Sequence, residues 1–223
     1  MKNKKIIILI ISIIVFLFFF FIKNNYKSMK IGNNIINKSA DEIKEYILNI
    51  ESYEANATVT IKSNKNENTY ILLQQYNKPS NIYTQEVKEP NSIAGVKFVY
   101  DGVNLKVENT GLSLNKIYDK YKYIESNELS LVAFIEDFKD NKEAKCYEED
   151  GMVLLETAVK GGNKYLSSKK LYINKDEGKI EKLEIKDITQ DTKIYILYNE
   201  IEINELSKEE ILAFSIRTLE ENI

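Results

Sequence analysis

From Tyr53 onward, apolar residues recur at every second position: Ala55, Ala57, Val59 and Ile61 alternate with Asn56, Thr58, Thr60 and Lys62. A period of two sends alternate side chains to opposite faces of a pleated strand, so this stretch is a strand with one covered face. The same reading applies to residues 69–76 and, after the break at Asn77-Lys78-Pro79-Ser80, to residues 81–87. Asp101-Gly102 lies between apolar runs at 96–100 and 103–107, and Asp150-Gly151 between runs at 144–149 and 152–159. Asp-Gly adopts positive φ at low cost, so both pairs are expected to close tight antiparallel hairpins. Gly161-Gly162 precedes a strand at 170–174. A turn at 174–178 leads into 179–186, and a last strand at 193–198 is expected to continue through Ile203. The expected total is nine or ten strands.

Three segments break the period. Ser39-Ala40-Asp41-Glu42 has the form of a capping box, and Ile43, Tyr46, Ile47 and Ile50 follow at helical spacing. Leu129, Leu131, Val132, Ile135 and Phe138 predict a helix over 127–138, capped by Ser126 or Asn127 and lying over one face of the sheet. Ser207 with Glu210 repeats the capping box, and Ile211, Leu212, Ser215, Ile216 and Leu219 carry a C-terminal helix. The fold class is therefore mainly β (α+β): one open, curved antiparallel sheet with helices packed on one face.

Before this domain, residues Ile6 to Ile22 are apolar except for Ser12, with Lys2, Lys4 and Lys5 on one side and Lys23 on the other. Seventeen helical residues span about 26 Å, close to the ~30 Å hydrocarbon core, and flanking lysines can snorkel across the remainder. No small-x-small cleavage site follows and no cysteine stands at its end to accept a lipid. The expectation is an uncleaved transmembrane anchor with its amino end inside. Residues 1–30 are then cytoplasmic stub, anchor and basic linker, and residues 31–223 are a single extracytoplasmic domain.

Composition excludes several functions. The first forty residues hold seven lysines and no acid, which leaves 24 basic residues against all 34 acids, a formal charge of −10 for the remainder. A surface of that sign repels nucleic acid. The chain has no histidine, so Ser-His-Asp and Cys-His catalysis and imidazole metal sites are absent. Cys146 is alone and sits in an alternating run, where cysteine acts as a small core hydrophobe. The acidic pairs Glu148-Glu149, Glu209-Glu210 and Glu220-Glu221 point apart on strand or helix and chelate poorly. No catalytic residue, metal site or cofactor site is expected.

Fifteen tyrosines and nine phenylalanines occur with no tryptophan, and many fall on the expected strands. Aromatic residues suit a pleated, half-buried surface, so packing accounts for most of them. Tyr70, Leu72, Tyr83, Phe98 and Tyr100 are the candidate positions for a concave binding face.

The order of elements then resembles a known family. A first helix and a strand pair lead to Tyr76-Asn77-Lys78-Pro79-Ser80-Asn81-Ile82-Tyr83, then to Val99-Tyr100-Asp101-Gly102-Val103-Asn104-Leu105. The chain closes on Lys170-Leu171-Tyr172-Ile173-Asn174 and the hairpins after it. Over residues 39 to 205 this resembles the lipoprotein-carrier superfamily of the LolA/LolB type. Within it, the Lys/Ile/Asn-rich composition is similar to germination lipoprotein GerS and its relatives in spore-forming bacteria. The resemblance implies a half-barrel sheet and a non-enzymatic protein on the outer face of a membrane, one that supports a cortex-modifying amidase by direct binding. The alternative it leaves open is carriage of lipid or of an acylated protein in the half-barrel. This chain departs from the pattern in lacking a lipidated cysteine, so the apolar helix takes the place of the lipid.

Overall fold

The computed structural model describes residues 38–63, 65–109, 111–121 and 127–204. The chain divides into two units, residues 1–30 and 31–223. The apolar block at 6–22 and the helix expected at 207–219 lie outside the described residues. Among the described residues, no helix is long and apolar enough to cross a membrane.

Helix α1 (Ala40–Leu48) begins on the expected box: the Ser39 side chain accepts from the Glu42 N–H, and the Glu42 carboxylate accepts from the Ser39 N–H at 2.8 Å. Six strands follow as a meander: β1 (Ser52–Lys62), β2 (Glu67–Asn77), β3 (Ile82–Glu89), β4 (Lys97–Tyr100), β5 (Leu105–Asn109) and β6 (Leu114–Tyr118). Helix α2 (Leu131–Asp140) leads into a second meander of β7 (Lys145–Glu149), β8 (Met152–Ala158), β9 (Ser168–Asn174), β10 (Lys179–Lys186) and β11 (Thr192–Ile203). β11 pairs with β1, which joins the two meanders into one sheet of order 6-5-4-3-2-1-11-10-9-8-7, antiparallel throughout. The sheet is open and curved, as the resemblance implies. Each meander needs only hairpins, and a single long-range pairing, β1 with β11, closes the design.

Both helices lie on one face. Ile43 and Ile47 of α1 are fully buried, and seven of the ten residues of α2 are buried. Beneath them, the alternation read in the sequence holds: Tyr53, Ala55, Ala57 and Val59 are buried to 1% exposure or less, while Asn56, Thr58 and Thr60 are partly exposed on the other face.

Four local readings are corrected. The sheet has eleven strands, and β6 was not expected. Helix α2 begins at Leu131 rather than 127, because Ser130 takes the cap and its hydroxyl accepts from the Val132 N–H at 3.1 Å. Leu129 precedes the helix and belongs to the turn before it. The β4–β5 connection is a four-residue loop rather than a two-residue turn: only Gly102 has positive φ (95°), and Asp101 Oδ1 accepts from the N–H groups of Val103 and Asn104. By contrast, Asp150-Gly151 closes β7 and β8 as expected, with both residues at positive φ.

Candidate functional site

Residues opposite each other in an antiparallel pair share a face, so register shows which side chains meet. One row on the helix-bearing face runs across six strands: Tyr53, Tyr76, Tyr83, Tyr100, Leu105 and Tyr118. A second runs beside it through Ala55, Gln74, Gln85, Phe98, Val107 and Lys116. Leu72 stands opposite Val87, and Tyr70 opposite Val59. The five candidate positions, Tyr70, Leu72, Tyr83, Phe98 and Tyr100, thus all lie on the face that carries the helices.

They differ in burial. Leu72, Tyr83 and Tyr100 are buried in the core cluster, and two of them have engaged hydroxyls: Tyr83 donates to Gln85 Oε1 at 3.2 Å and Tyr100 to the Gly102 carbonyl at 2.8 Å. Tyr70 and Phe98 are half-buried, together with Val107 and Leu114, which the sequence did not single out. The tyrosine row stays buried from Tyr53 to Leu105 and opens only at Tyr118, 38% exposed. The apolar surface left open on this face therefore belongs to the β2–β6 side.

Three tight features hold α2 over the other side. Lys169, 1% exposed on β9, places its Nζ 2.5 Å from Glu128 Oε2 and 2.6 Å from Asp137 Oδ2. The Thr157 hydroxyl donates to the Asp137 carbonyl at 3.3 Å. Gln74 Nε2 donates to the Leu129 carbonyl at 3.0 Å, which ties the approach to α2 onto β2. Near that approach, Tyr53 stands beside Ser130, Tyr83 and the Leu131 backbone, yet its hydroxyl completes a hydrogen bond with none of them, and Gln74 Oε1 and the Tyr198 hydroxyl are likewise buried without partners. Burial pushes the Tyr53 and Tyr198 hydroxyls well above the ordinary tyrosine range and Tyr76 up to about 12, so all three stay neutral.

A cleft of about 590 Å³ opens where β1, β2 and β11 meet the β8–β9 connection, lined by Ile61, Ile194, Leu166 and Tyr165 with Lys62 and Lys193 at its rim. Both lysines are engaged, Lys62 with Glu67 and Lys193 with Asp187 and Asp191. The Cys146 thiol is pushed up by burial and donates to the Ala40 carbonyl at 3.6 Å, which fits its reading as a core residue. Among the described residues, no group of acids and cysteine is arranged to hold a metal ion. What the arrangement offers is apolar, aromatic surface for binding.

The profile of the sporulation protein YdcC-like family matches residues 3–212 of this chain. The chain belongs to that family. No functionally curated protein matches it. Among solved structures, an uncharacterized conserved protein of Thermus thermophilus is similar with a TM-score of 0.51 at 11% identity, over 78% of this chain and 93% of that one. That likeness shows the fold. The complex of the CwlD amidase with the GerS lipoprotein, from Clostridioides difficile, matches at 27% identity and a TM-score of 0.47, over 71% of this chain and 90% of that one. A LolA superfamily protein of Nitrosomonas europaea matches at 13% identity and a TM-score of 0.41, over 77% and 96%. The resemblance read from the strand order is borne out to this extent: the chain is of the YdcC-like sporulation family, and the structures similar to it include a LolA superfamily protein and the GerS complex.

Proposed function

We propose that this YdcC-like protein is a non-enzymatic, membrane-anchored binding protein of the sporulating cell, held by Ile6 to Ile22 with its sheet domain outside the cytoplasm, and that its partner is an envelope enzyme of the cortex-amidase type. The observation that carries this reading is the family match, which takes in the apolar block and the sheet domain as one unit. Two features support binding over catalysis. The chain has no histidine, and the groups shifted furthest are buried tyrosines that stay neutral and a carboxylate, Asp187, held by an ion pair and hydroxyl and amide donors. The half-covered β2–β6 face, with Tyr70, Phe98, Val107 and Leu114, supplies apolar surface of the kind a partner covers.

The test is affinity purification of the tagged full chain from sporulating cells. A cortex amidase should co-purify, and the pair Tyr70→Ser with Phe98→Ser should reduce its recovery at least tenfold while the chain keeps its melting temperature within a few degrees. Cell-wall hydrolysis by the purified chain alone would overturn the reading.

One observation favours a second reading, carriage of lipid or an acylated protein. The 590 Å³ cleft is mostly apolar and leads from the surface toward Ile61 and Ile194 of the core. That reading expects organic extraction of the purified chain to release stoichiometric acyl chains, and Ile194→Asp to abolish them.

A further inference from the structure

The two edges of the sheet are treated differently. β7 lies under α1, whose Ala40 carbonyl receives the Cys146 thiol. β6, at the opposite end, pairs with β5 on one side, and among the described residues no strand pairs with its other side. A bare edge offers a row of backbone N–H and C=O groups to any second strand, and proteins usually blunt it with proline, a bulge or charge. β6 has no proline, and its register with β5 runs without a shift. Its one charge, Lys116, lies with its ammonium 4.8 Å from the centre of the Tyr118 ring. Large apolar groups are exposed here instead: Ile117 on the strand is 60% exposed and Leu112 in the turn before it 52%.

We propose that β6 is a self-association edge, and that two copies of the chain pair through it antiparallel about a two-fold axis at Ile117. The sequence of the strand selects that axis. Such an axis must pass through a residue pair, because paired residues share a face. Centring it on Lys116 sets lysine against lysine, and centring it on Tyr118 sets Lys116 against Lys120 of the partner subunit and Ile117 against the partner's Asp119. Centring it on Asn115 sets Ile117 against the partner's Ser113 and Lys116 against the partner's Leu114. Centring it on Ile117 pairs the two isoleucines, places each Lys116 beside Tyr118 of the partner subunit, and sets Asn115 against the partner's Asp119. It also brings Leu112 of one copy to the same end of the pair as Tyr121 of the partner subunit. A strand of five residues buries little area, so the pairing is concentration-dependent, and confinement of both copies to one membrane by the proposed anchor raises their effective concentration.

The experiment is cysteine crosslinking of the full chain in membranes, in a Cys146→Ala background, under mild oxidation. Paired Cα atoms about 4.5 to 5.5 Å apart in an antiparallel ladder lie within the ~4.4 to 6.8 Å that a disulfide spans. Ile117→Cys should give a band of twice the protomer mass on a non-reducing gel, at least tenfold faster than Lys116→Cys, Tyr118→Cys or the remote and exposed Ile188→Cys. A maximum at 116 or 118 would overturn the register. An Ile117→Cys rate equal to that of Ile188→Cys, or its capture only by a different protein, would overturn self-association. As a second measurement, the detergent-solubilised wild type should sediment as a dimer at high concentration. Ile117→Lys should sediment as a single protomer with the wild-type melting temperature, because Ile117 is exposed within the protomer.

Discussion

The two halves of the sheet use the same construction, a hairpin meander, and end in opposite ways. The β7–β11 half lies under α1 and α2, its inner residues Val153, Leu155, Leu171, Ile173, Ile180, Leu183 and Ile185 are fully buried, and its edge strand is tied to α1 through Cys146. The β3–β6 half is covered near β1 and progressively opened toward β6, where four of the five residues are exposed. Identical backbone pairing therefore gives a scaffold on one side and a surface on the other, and the difference lies in where the helices sit. Stability should concentrate in the covered half and recognition in the open one.

The largest expected effect tests the covered half. Lys169→Ala leaves Glu128 and Asp137 facing each other at the sheet without their common cation, and breaking a buried pair in this way costs about 3–5 kcal/mol. Tyr118→Ala, on the open edge, should change stability by less than about 0.5 kcal/mol. Chemical denaturation of the two variants checks the contrast, and equal losses would remove it. Combining Lys169→Met with Glu128→Gln and Asp137→Asn should recover most of the loss, since no uncompensated charge remains.

A smaller effect compares a hairpin from each half. Gly102, in the β4–β5 loop, has φ of 95° and a Cβ there would stand 3.2 Å from Asn81 Nδ2, whereas Gly151, between β7 and β8, has φ of 76° and nothing nearer than Asp176 Oδ2 at 3.9 Å. Both valine variants carry backbone strain of about 1–3 kcal/mol, and Gly102→Val should be the worse because Asn81 must also move. Thermal denaturation that ranks Gly151→Val lower would show the open half to be the more yielding.

How much of this was readable in advance follows the same division. β1 announced itself because one of its faces is covered and the other wet. β6 did not, because Leu114-Asn115-Lys116-Ile117-Tyr118 has no covered face to impose alternation, so the period that marks a strand is missing. The individual tyrosines were visible on strands, and Tyr83 and Tyr100 were among the candidates. Their alignment with Tyr53, Tyr76 and Tyr118 depends on register across five hairpins, a long-range property. Lys169 gave no local sign at all: on β9 it occupies a position of the inward alternation that reads as an error until Glu128 and Asp137 arrive from the α2 region. Ser130 was missed as a cap because Ser126 and Asn127 offered the same chemistry earlier, and only packing against the sheet decides which turn begins the helix.

The finest test of the comparison uses one carboxylate from each half. Asp187, in the β10–β11 turn, is held below the usual carboxylate range chiefly by Lys193, whose Nζ lies 2.9 Å away, and by the Thr189 hydroxyl at 2.7 Å. Asp101, in the β4–β5 loop, is also held low: burial acts to raise it, but donation from the N–H groups of Asn104 and Val103 outweighs that. In both cases the folded pKa lies below the unfolded one, so the stabilisation is fully present above about pH 4 and is lost as pH falls through the folded value. Asp187→Asn and Asp101→Asn should each flatten the loss of stability between about pH 4 and pH 2. Salt separates them. The Asp187 contribution rests chiefly on an ion pair with the partly exposed Lys193 and should shrink between about 0.05 and 1 M salt, whereas the Asp101 contribution rests on neutral N–H donors and should hold. If both respond to salt alike, the loop of the open half is held by the general field of the domain and not by its own backbone.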